Sequence, residues 1–501
     1  MNPLSLLNQL DSIIPAAITG TVQETTGTTI SVSGFPVPVG ALAEIRLRDR
    51  TTLAAEVIRF HDETAILYPL QTMQGIRRGD RVRLVQTLPW LTVGEGMLGK
   101  VLDARGRILQ DVSQCLKPHA HQPAEQKTDS MSFFSGFDPT AAPDHRCASE
   151  NSGSSAENSI SGFAETKVSE FLAARKISAE ALLNSERIPF HRDAPKAFQR
   201  PRITAPISTG VRAIDALLTL GEGQRVGIFA GSGVGKSTLL GMIARYTNAD
   251  VIVIGLVGER GREVNDFLER DLGEEGRKRS VVVAATSNEP AILRVRAAQT
   301  ATAVAEYFRD KGKNVLLLMD SLTRFAMAQR EIGLAGGEPP TRNGYPPSVF
   351  SLLPALVERT GRTRLGSITA MYTVLVEGDD ENEPIADTVR GLLDGHIWLS
   401  RKLAAAGHYP AIDLPSSISR LMNDICEKKH IRTALELRAM VSLWREFQDL
   451  LAINAYKRGT NPALDAALEK KDAIVRFLRQ NTDEPSTLNE AVLQMTRIIE
   501  S

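Results

Sequence analysis

Residues 225–238 read Arg-Val-Gly-Ile-Phe-Ala-Gly-Ser-Gly-Val-Gly-Lys-Ser-Thr, an apolar run that gives way to small residues and then to Lys236 and Ser237. This pattern predicts a strand, a phosphate-cradling loop and the start of a helix, so a nucleoside triphosphate is the first ligand to consider. Gly231, Gly233 and Gly235 have no Cβ. The backbone can therefore bend tightly there and, with Ser232 and Val234 between the glycines, turn successive N–H groups toward phosphate oxygens. Lys236 can reach the β/γ-phosphates, the Ser237 hydroxyl can ligate Mg2+, and Thr238 follows in the first helical turn. The strict pattern has glycine where this chain has Ala230. A chance glycine-rich turn is the competing reading, and the strand and helix signals on both sides argue against it.

Hydrolysis needs further groups. Asp320 closes the apolar run Val-Leu-Leu-Leu-Met. A carboxylate at the C-terminal end of a buried strand sits beside such a loop and can hold Mg2+ directly or through water. Its rival role is to cap the helix that begins at Ser321. Glu259, in Gly258-Glu259-Arg260-Gly261-Arg262, also follows a buried strand and can orient and polarise an attacking water. Arg260 and Arg262 can offset phosphate charge or pair with Glu259 and its neighbours. Spacing alone equally allows a helix-start glutamate flanked by exposed arginines.

The elements that must hold these groups are legible as alternating runs. Strands are expected at Arg225–Ala230, Val251–Val257, Ser280–Ala285, Asn314–Met319, Ser367–Val374 and His396–Leu399. Helices are expected at Lys236–Tyr246, Glu263–Leu272, Pro290–Lys311 and Ile385–Leu393. Strands alternating with helices imply an α/β fold, a parallel sheet covered on both faces. Before it, residues 20 to 86 hold short β-branched runs punctuated by Gly and Pro, the pattern of a small β-barrel or sandwich. Beyond Leu421 no strand signal survives. Leu437, Met440, Leu443, Trp444, Phe447, Leu450 and Leu451 recur at helical spacing and read as core.

The expected domains are an N-terminal amphipathic helix within 1–18, a β-barrel at 19–110, a low-complexity insertion at 111–188, a P-loop core at 189–420 and a helical domain at 421–501. The first carries Leu4, Leu7, Leu10, Ile13 and Ile14 on one face, to dock on its own barrel or on a partner. Much of the insertion is rich in His, Ser, Pro, Asn and Gly, too poor in aliphatics to offset its ordering entropy. It gathers Cys115, His119, His121, His145 and Cys147, but His-x-Cys is not a usual zinc-ligand pair, and a disordered segment with scattered ligands is preferred.

Composition excludes little. Lys plus Arg and Asp plus Glu both number 59, so no global positive field gathers nucleic acid. Hydrophobic residues at 42% and charged residues at 24% fit a soluble globular protein. The longest apolar stretches, such as 251–258, fall short of the ~18 residues that span a bilayer. The N-terminus lacks the basic start and cleavage site of a signal peptide, which points to the cytoplasm. Three cysteines make no disulfide framework.

Residues 15–110 and 189–501 together resemble the family of flagellar and type III secretion export ATPases, relatives of the catalytic subunits of rotary ATP synthases. The resemblance rests on seven ordered motifs. They are Thr-Gly-Val-Arg-Ala-Ile-Asp at 209–215, Ala-Gly-Ser-Gly-Val-Gly-Lys-Ser at 230–237, Gly-Leu-Val-Gly-Glu-Arg-Gly-Arg-Glu-Val at 255–264, Asp-Ser-Leu-Thr-Arg-Phe-Ala at 320–326, Gly-Tyr-Pro-Pro-Ser-Val-Phe at 344–350, Glu-Gly-Asp-Asp at 377–380 and Gly-His-Tyr-Pro-Ala-Ile-Asp at 407–413.

The resemblance implies a RecA-like core, ATP as substrate with Mg2+, and Ala230 as a family trait. By similarity Glu259 is the catalytic carboxylate, Arg260 a γ-phosphate contact, and Ser237 with Asp320 the metal-binding pair. Tyr409 would stack on adenine, although from sequence alone it reads equally as a buried core tyrosine. Arg420 matches an arginine finger supplied to a neighbouring subunit, so the resemblance implies an oligomer, a hexameric ring, with the 344–350 segment lining its pore. It further implies partners in the secretion apparatus: an export gate, a stator-like regulator and chaperone–substrate complexes, at the inner membrane as a peripheral protein. The insertion departs from the family's shorter linker.

Competing readings are a rotary ATP synthase subunit, which the wording of the 258–264 and 319–325 segments disfavours, and an RNA-translocating hexameric ATPase. The latter calls for a basic, aromatic-rich barrel, whereas residues 20–86 hold only Phe35, Phe60 and Tyr68 as aromatics. A ring subunit that binds nucleotide without hydrolysing it is disfavoured by the joint presence of Lys236, Glu259 and Asp320. Between flagellum and injectisome, Ile453-Asn454-Ala455-Tyr456 with Gly459 and Asn461-Pro462 leans toward the flagellar members.

Overall fold

The computed structural model describes residues 18–111, 185–376 and 383–501. The expected N-terminal helix, the 377–380 motif and the insertion up to residue 184 with its Cys and His residues lie outside the described residues. Residues 185–188 of the expected insertion are among those described. Glu186–Pro189 is a strand, paired with Trp90–Val93.

The N-terminal barrel closes from β1 (Thr19–Thr26), β2 (Thr29–Ser33), β3 (Leu42–Arg46), β4 (Thr52–His61), β5 (Thr64–Pro69) and β6 (Arg81–Gln86), in the order β1-β2-β5-β4-β3-β6. Period-two alternation turns Ile30, Val32, Ala43, Ile45, Leu53, Val57, Leu67 and Val82 inward. Full closure leaves no strand edge unpaired. One barrel strand, β4, buries Glu56 against the guanidinium of Arg296, which joins the barrel to the core domain.

Chain-order labels continue with β7 (Trp90–Val93), β8 (Lys100–Leu102), β9 (Ile108–Asp111), β10 (Glu186–Pro189), β11 (Pro206–Ile207), β12 (Leu220–Gly221), β13 (Arg225–Ala230), β14 (Val251–Glu259), β15 (Ser280–Thr286), β16 (Asn314–Asp320), β17 (Gly361–Arg362), β18 (Ser367–Leu375), β19 (Gly395–Leu399) and β20 (Ile412–Ser419). The large sheet runs β20-β19-β13-β18-β16-β14-β15-β8-β9, with β17 paired to β18. All six expected core strands lie in it, mutually parallel where they pair. The edge strands β9 and β20 are antiparallel additions. In β20, Pro415 and a run of serines hide the strand signal, which an edge position tolerates.

Alternation along the central strands splits the core in two. Val253, Val281, Val283, Val315 and Leu317 face the helices Ala291–Asp310, Leu322–Ala335 and Pro347–Val357. Ile252, Ile254, Val282, Leu316 and Leu318 face the helices Arg212–Leu217 and Lys236–Tyr246 and, beyond them, the C-terminal helices Lys428–Glu446, Pro462–Leu478 and Leu488–Glu500. Each such fully buried aliphatic side chain contributes about 1.5–3 kcal/mol. The C-terminal helices thus share a hydrophobic core with the sheet face that carries the helix Lys236–Tyr246.

One expectation is corrected here. The apolar stripe after Leu437 is core only in part: Met440 and Trp444 pack against the second cluster, but Leu450 is 44% exposed. Within the Gly344–Phe350 segment, Pro347 opens the helix Pro347–Val357 at its first position, where a missing N–H costs nothing.

Candidate active site

β13 ends at Ala230, whose neighbours in register are Leu375 of β18 and Leu399 of β19. Ala230 is therefore the last strand residue, with a buried methyl, and no glycine is required there. The turn that follows needs glycine at Gly233 and Gly235, whose φ values are +77° and +90°. Gly235 precedes the first residue of the helix Lys236–Tyr246, so the loop delivers its N–H groups and the helix N-terminus to one place. Ser237 and Thr238 are exposed at that mouth.

Three side chains converge on it, one from the start of that helix and two from strand ends. Lys236 Nζ donates to Asp320 Oδ1 at 2.6 Å and lies 3.6 Å from Glu259 Oε1. Asp320 ends β16 and also accepts from Thr373 Oγ1 of β18 at 2.7 Å. The helix cap that competed for Asp320 belongs to Ser321, which accepts from the Arg324 N–H. Asp320 is thereby free to face the loop.

Glu259 ends β14, and a local irregularity aims it. Gly258, at φ +71°, breaks the register between Val257 and Glu259 against β15, a bulge that re-points the next side chain. Glu259 is buried, and its Oε1 makes no hydrogen bond. Burial, the neighbouring carboxyl of Glu263 and the charge of Asp320 push the Glu259 carboxyl up to about 7, against the pull of Lys236 and Arg324. The group is poised to exchange a proton near neutral pH.

Arg324, quoted within the 320–326 motif but given no role there, supports this carboxylate. Its Nη1 donates to the Gly258 carbonyl at 2.6 Å and its Nε lies 3.3 Å from Glu259 Oε1. Its place in the first turn of the helix after Asp320 was the one available signal. Arg260 sits elsewhere: 77% exposed, it pairs with Glu263 at 3.5 Å, as the simpler of its two readings had it.

Tyr409 is not a buried core residue. It is 46% exposed, and its ring lies against the phosphate loop, where a Cβ added to Gly235 would come within 3.3 Å of Tyr409 Cε1. An open aromatic face beside the loop suits stacking on a base. Arg420 is not brought to this site. Its N–H bonds the Asp394 carbonyl at 3.1 Å, and the Asp394 N–H bonds the carbonyl of Arg225, the first residue of β13. The phosphate loop lies at the other end of that strand, about 20 Å away for six residues at about 3.3 Å each. Arg420 is exposed, at the end of β13 opposite the loop.

With this geometry in hand, sequence comparison is unambiguous. Residues 210–419 match the ATP synthase alpha/beta family nucleotide-binding domain, residues 22–85 its beta-barrel domain, and residues 426–497 the T3SS EscN ATPase C-terminal domain. The flagellum-specific ATP synthase of Bacillus subtilis is 44% identical over 96% of this chain and 94% of its own length. The type 3 secretion system ATPase of Pseudomonas savastanoi pv. phaseolicola is 42% identical over 96% of this chain and 94% of its own. The structure of the assembled ATPase EscN from the enteropathogenic E. coli type III secretion system aligns with a TM-score of 0.77 at 36% identity, over 96% of this chain and all of that one. The chain belongs to the family of flagellum-specific and type III secretion ATPases, and it is an ATPase of the protein-export branch rather than a rotary synthase subunit.

Proposed function

We propose that this chain hydrolyses Mg2+-bound ATP at sites completed between neighbouring subunits of a homohexameric ring, and that the ring energises flagellar protein export. The convergence of Lys236, Glu259 and Asp320 on one glycine loop carries the hydrolytic reading. The donor set fits the ligand. An exposed hydroxyl at Ser237 and a carboxylate at Asp320 are hard oxygen ligands of the kind Mg2+ takes, and Gly233 leaves open space where any Cβ would stand. When bound, Mg2+ neutralises charge shared between the outer phosphates.

The chain's own residues divide the work. N–H groups of 231–238 and the Lys236 ammonium hold the phosphates, with Lys236 exchanging its carboxylate partners for phosphate oxygens. Glu259, held by Arg324, orients the attacking water and takes its proton. Tyr409 stacks on the base. Arg260 moves from Glu263 to the γ-phosphate. Arg420 enters the neighbouring subunit's site, because it cannot reach its own across the length of β13. Such a finger is worth about 10³ to 10⁵ in rate.

The published EscN assembly and its complex with a central stalk, EscO, support a ring that engages a stalk-like partner. The export gate, a stator-like regulator and chaperone–substrate complexes are the further partners we assign, with peripheral attachment at the cytoplasmic side of the inner membrane and no nucleic acid. Among the described residues no helix is long and apolar enough to cross a membrane. The flagellar assignment rests on the 453–462 wording. A chromosomal Glu259→Gln replacement tests it: swimming should be lost together with the purified ATPase activity. Normal motility would remove the flagellar role, and undiminished hydrolysis would remove Glu259 as the base.

A further inference from the structure

The segment between the last two helices, 479–484, touches the nucleotide site from behind. Gln480 is 5% exposed and spends every polar atom of its side chain. Its Oε1 accepts from the Arg212 N–H at 2.8 Å, and its Nε2 donates to the Gly210 carbonyl at 2.8 Å and to the Glu484 carbonyl at 2.7 Å. Two carbonyls on one side and an N–H on the other fix the amide orientation, since a flipped amide would set oxygen against oxygen. The Gln480 N–H donates to the Tyr409 carbonyl at 3.0 Å.

Arg212 closes the same clasp. Its Nε donates to the Phe477 carbonyl at 3.0 Å, its Nη2 to the Arg479 carbonyl at 2.6 Å, and its Nη1 pairs with Glu484. These carbonyls belong to the end of the helix Pro462–Leu478, which has no intrahelical donors left for them. The guanidinium and the side-chain amide therefore lock the 479–484 turn to the 210–212 segment, and the main-chain N–H of Gln480 ties the turn so held to the backbone of Tyr409.

We infer that Gln480 is a positioning residue for nucleotide binding: with Arg212 it fixes the backbone of Tyr409 so that the tyrosine ring stands over Gly235 at the base-stacking face. The inference rests on the reading of Tyr409 as the base-stacking residue. Stacking is made in the ground state and the transition state alike, so loosening the clasp weakens substrate binding and leaves the chemical step intact.

The test is a double-mutant cycle on the full chain, reading kcat and KM for ATP and, separately, thermal stability. Tyr409→Ala should raise KM about tenfold. Gln480→Ala should raise KM about fivefold with kcat within about twofold. In the Tyr409→Ala background the KM effect of Gln480→Ala should vanish, while its loss of thermal stability should persist. If Gln480→Ala does not fold, Arg212→Lys opens the same clasp by removing the fork while keeping the charge beside Glu484, and its KM effect should vanish in the same background. Tyr409→Ala with unchanged KM would remove the stacking reading itself. A raised KM for Tyr409→Ala combined with multiplying effects in the double variant, or a Gln480→Ala loss confined to kcat, would overturn the clasp alone.

Discussion

The ammonium of Lys236 stands 2.6 Å from Asp320 Oδ1, so the lysine we assign to phosphate is, without nucleotide, the counter-ion of a buried carboxylate. Glu259 lies on its other side at 3.6 Å, and both carboxylates are almost fully buried. Until substrate arrives, Lys236 is thus shared between two buried carboxyls, of which Glu259 also faces Arg324.

Lys236→Ala should abolish hydrolysis and also destabilise the nucleotide-free protein by about 3 kcal/mol, because it removes the cation shared by two buried carboxyls. Without the lysine the Glu259 carboxyl rises further above its unfolded value. A carboxyl raised in the folded state binds a proton on folding, so the penalty is small below the unfolded value and grows as pH rises toward the folded one. Thermal melts of Lys236→Ala against wild type should diverge more at pH 8 than at pH 5. Equal losses at both would contradict the shared counter-ion.

The pH profile of hydrolysis follows from the same carboxyl. A general base acts when ionised, and in the free enzyme Glu259 titrates at about 7. The acid limb of kcat/KM should therefore lie near pH 7, well above an ordinary glutamate. Arg324→Ala removes one of the positive charges that oppose the rise, so it should shift the kcat/KM limb further upward. An unmoved limb would take Arg324 out of the site.

Glu259→Gln should lower kcat by about 10² to 10⁴ while KM for ATP stays within a few-fold. A parallel loss of binding, read by nucleotide titration, would mean that the substitution has disturbed the Lys236 cradle instead of the base.

Much of this was legible beforehand, because local signals were strong where the chain obeys one rule at a time. The helix Lys236–Tyr246 and β13 end where their glycines and apolar runs say they should. β20 was hidden because an edge strand tolerates Pro415 and needs only one apolar face. The support of Glu259 was harder to see. The bulge at Gly258 depends on register against β15, and Arg324 meets Glu259 only because two parallel strands end side by side. Arg212 and Gln480 are still further from local reading: their bonds span most of the nucleotide domain, and neither residue type in isolation suggests a partner.

Completion of the site by a neighbouring subunit is tested most directly by mixing two dead subunits. Glu259→Gln and Arg420→Ala chains, separately tagged and co-assembled, should each be inactive as homo-oligomers. Together they should recover hydrolysis, because roughly a quarter of the head-to-tail interfaces would pair an intact Glu259 with an intact Arg420. Recovered activity in the doubly purified mixture is the predicted result. A mixture as inactive as its components, or an Arg420→Ala homo-oligomer as active as wild type, would contradict a shared site.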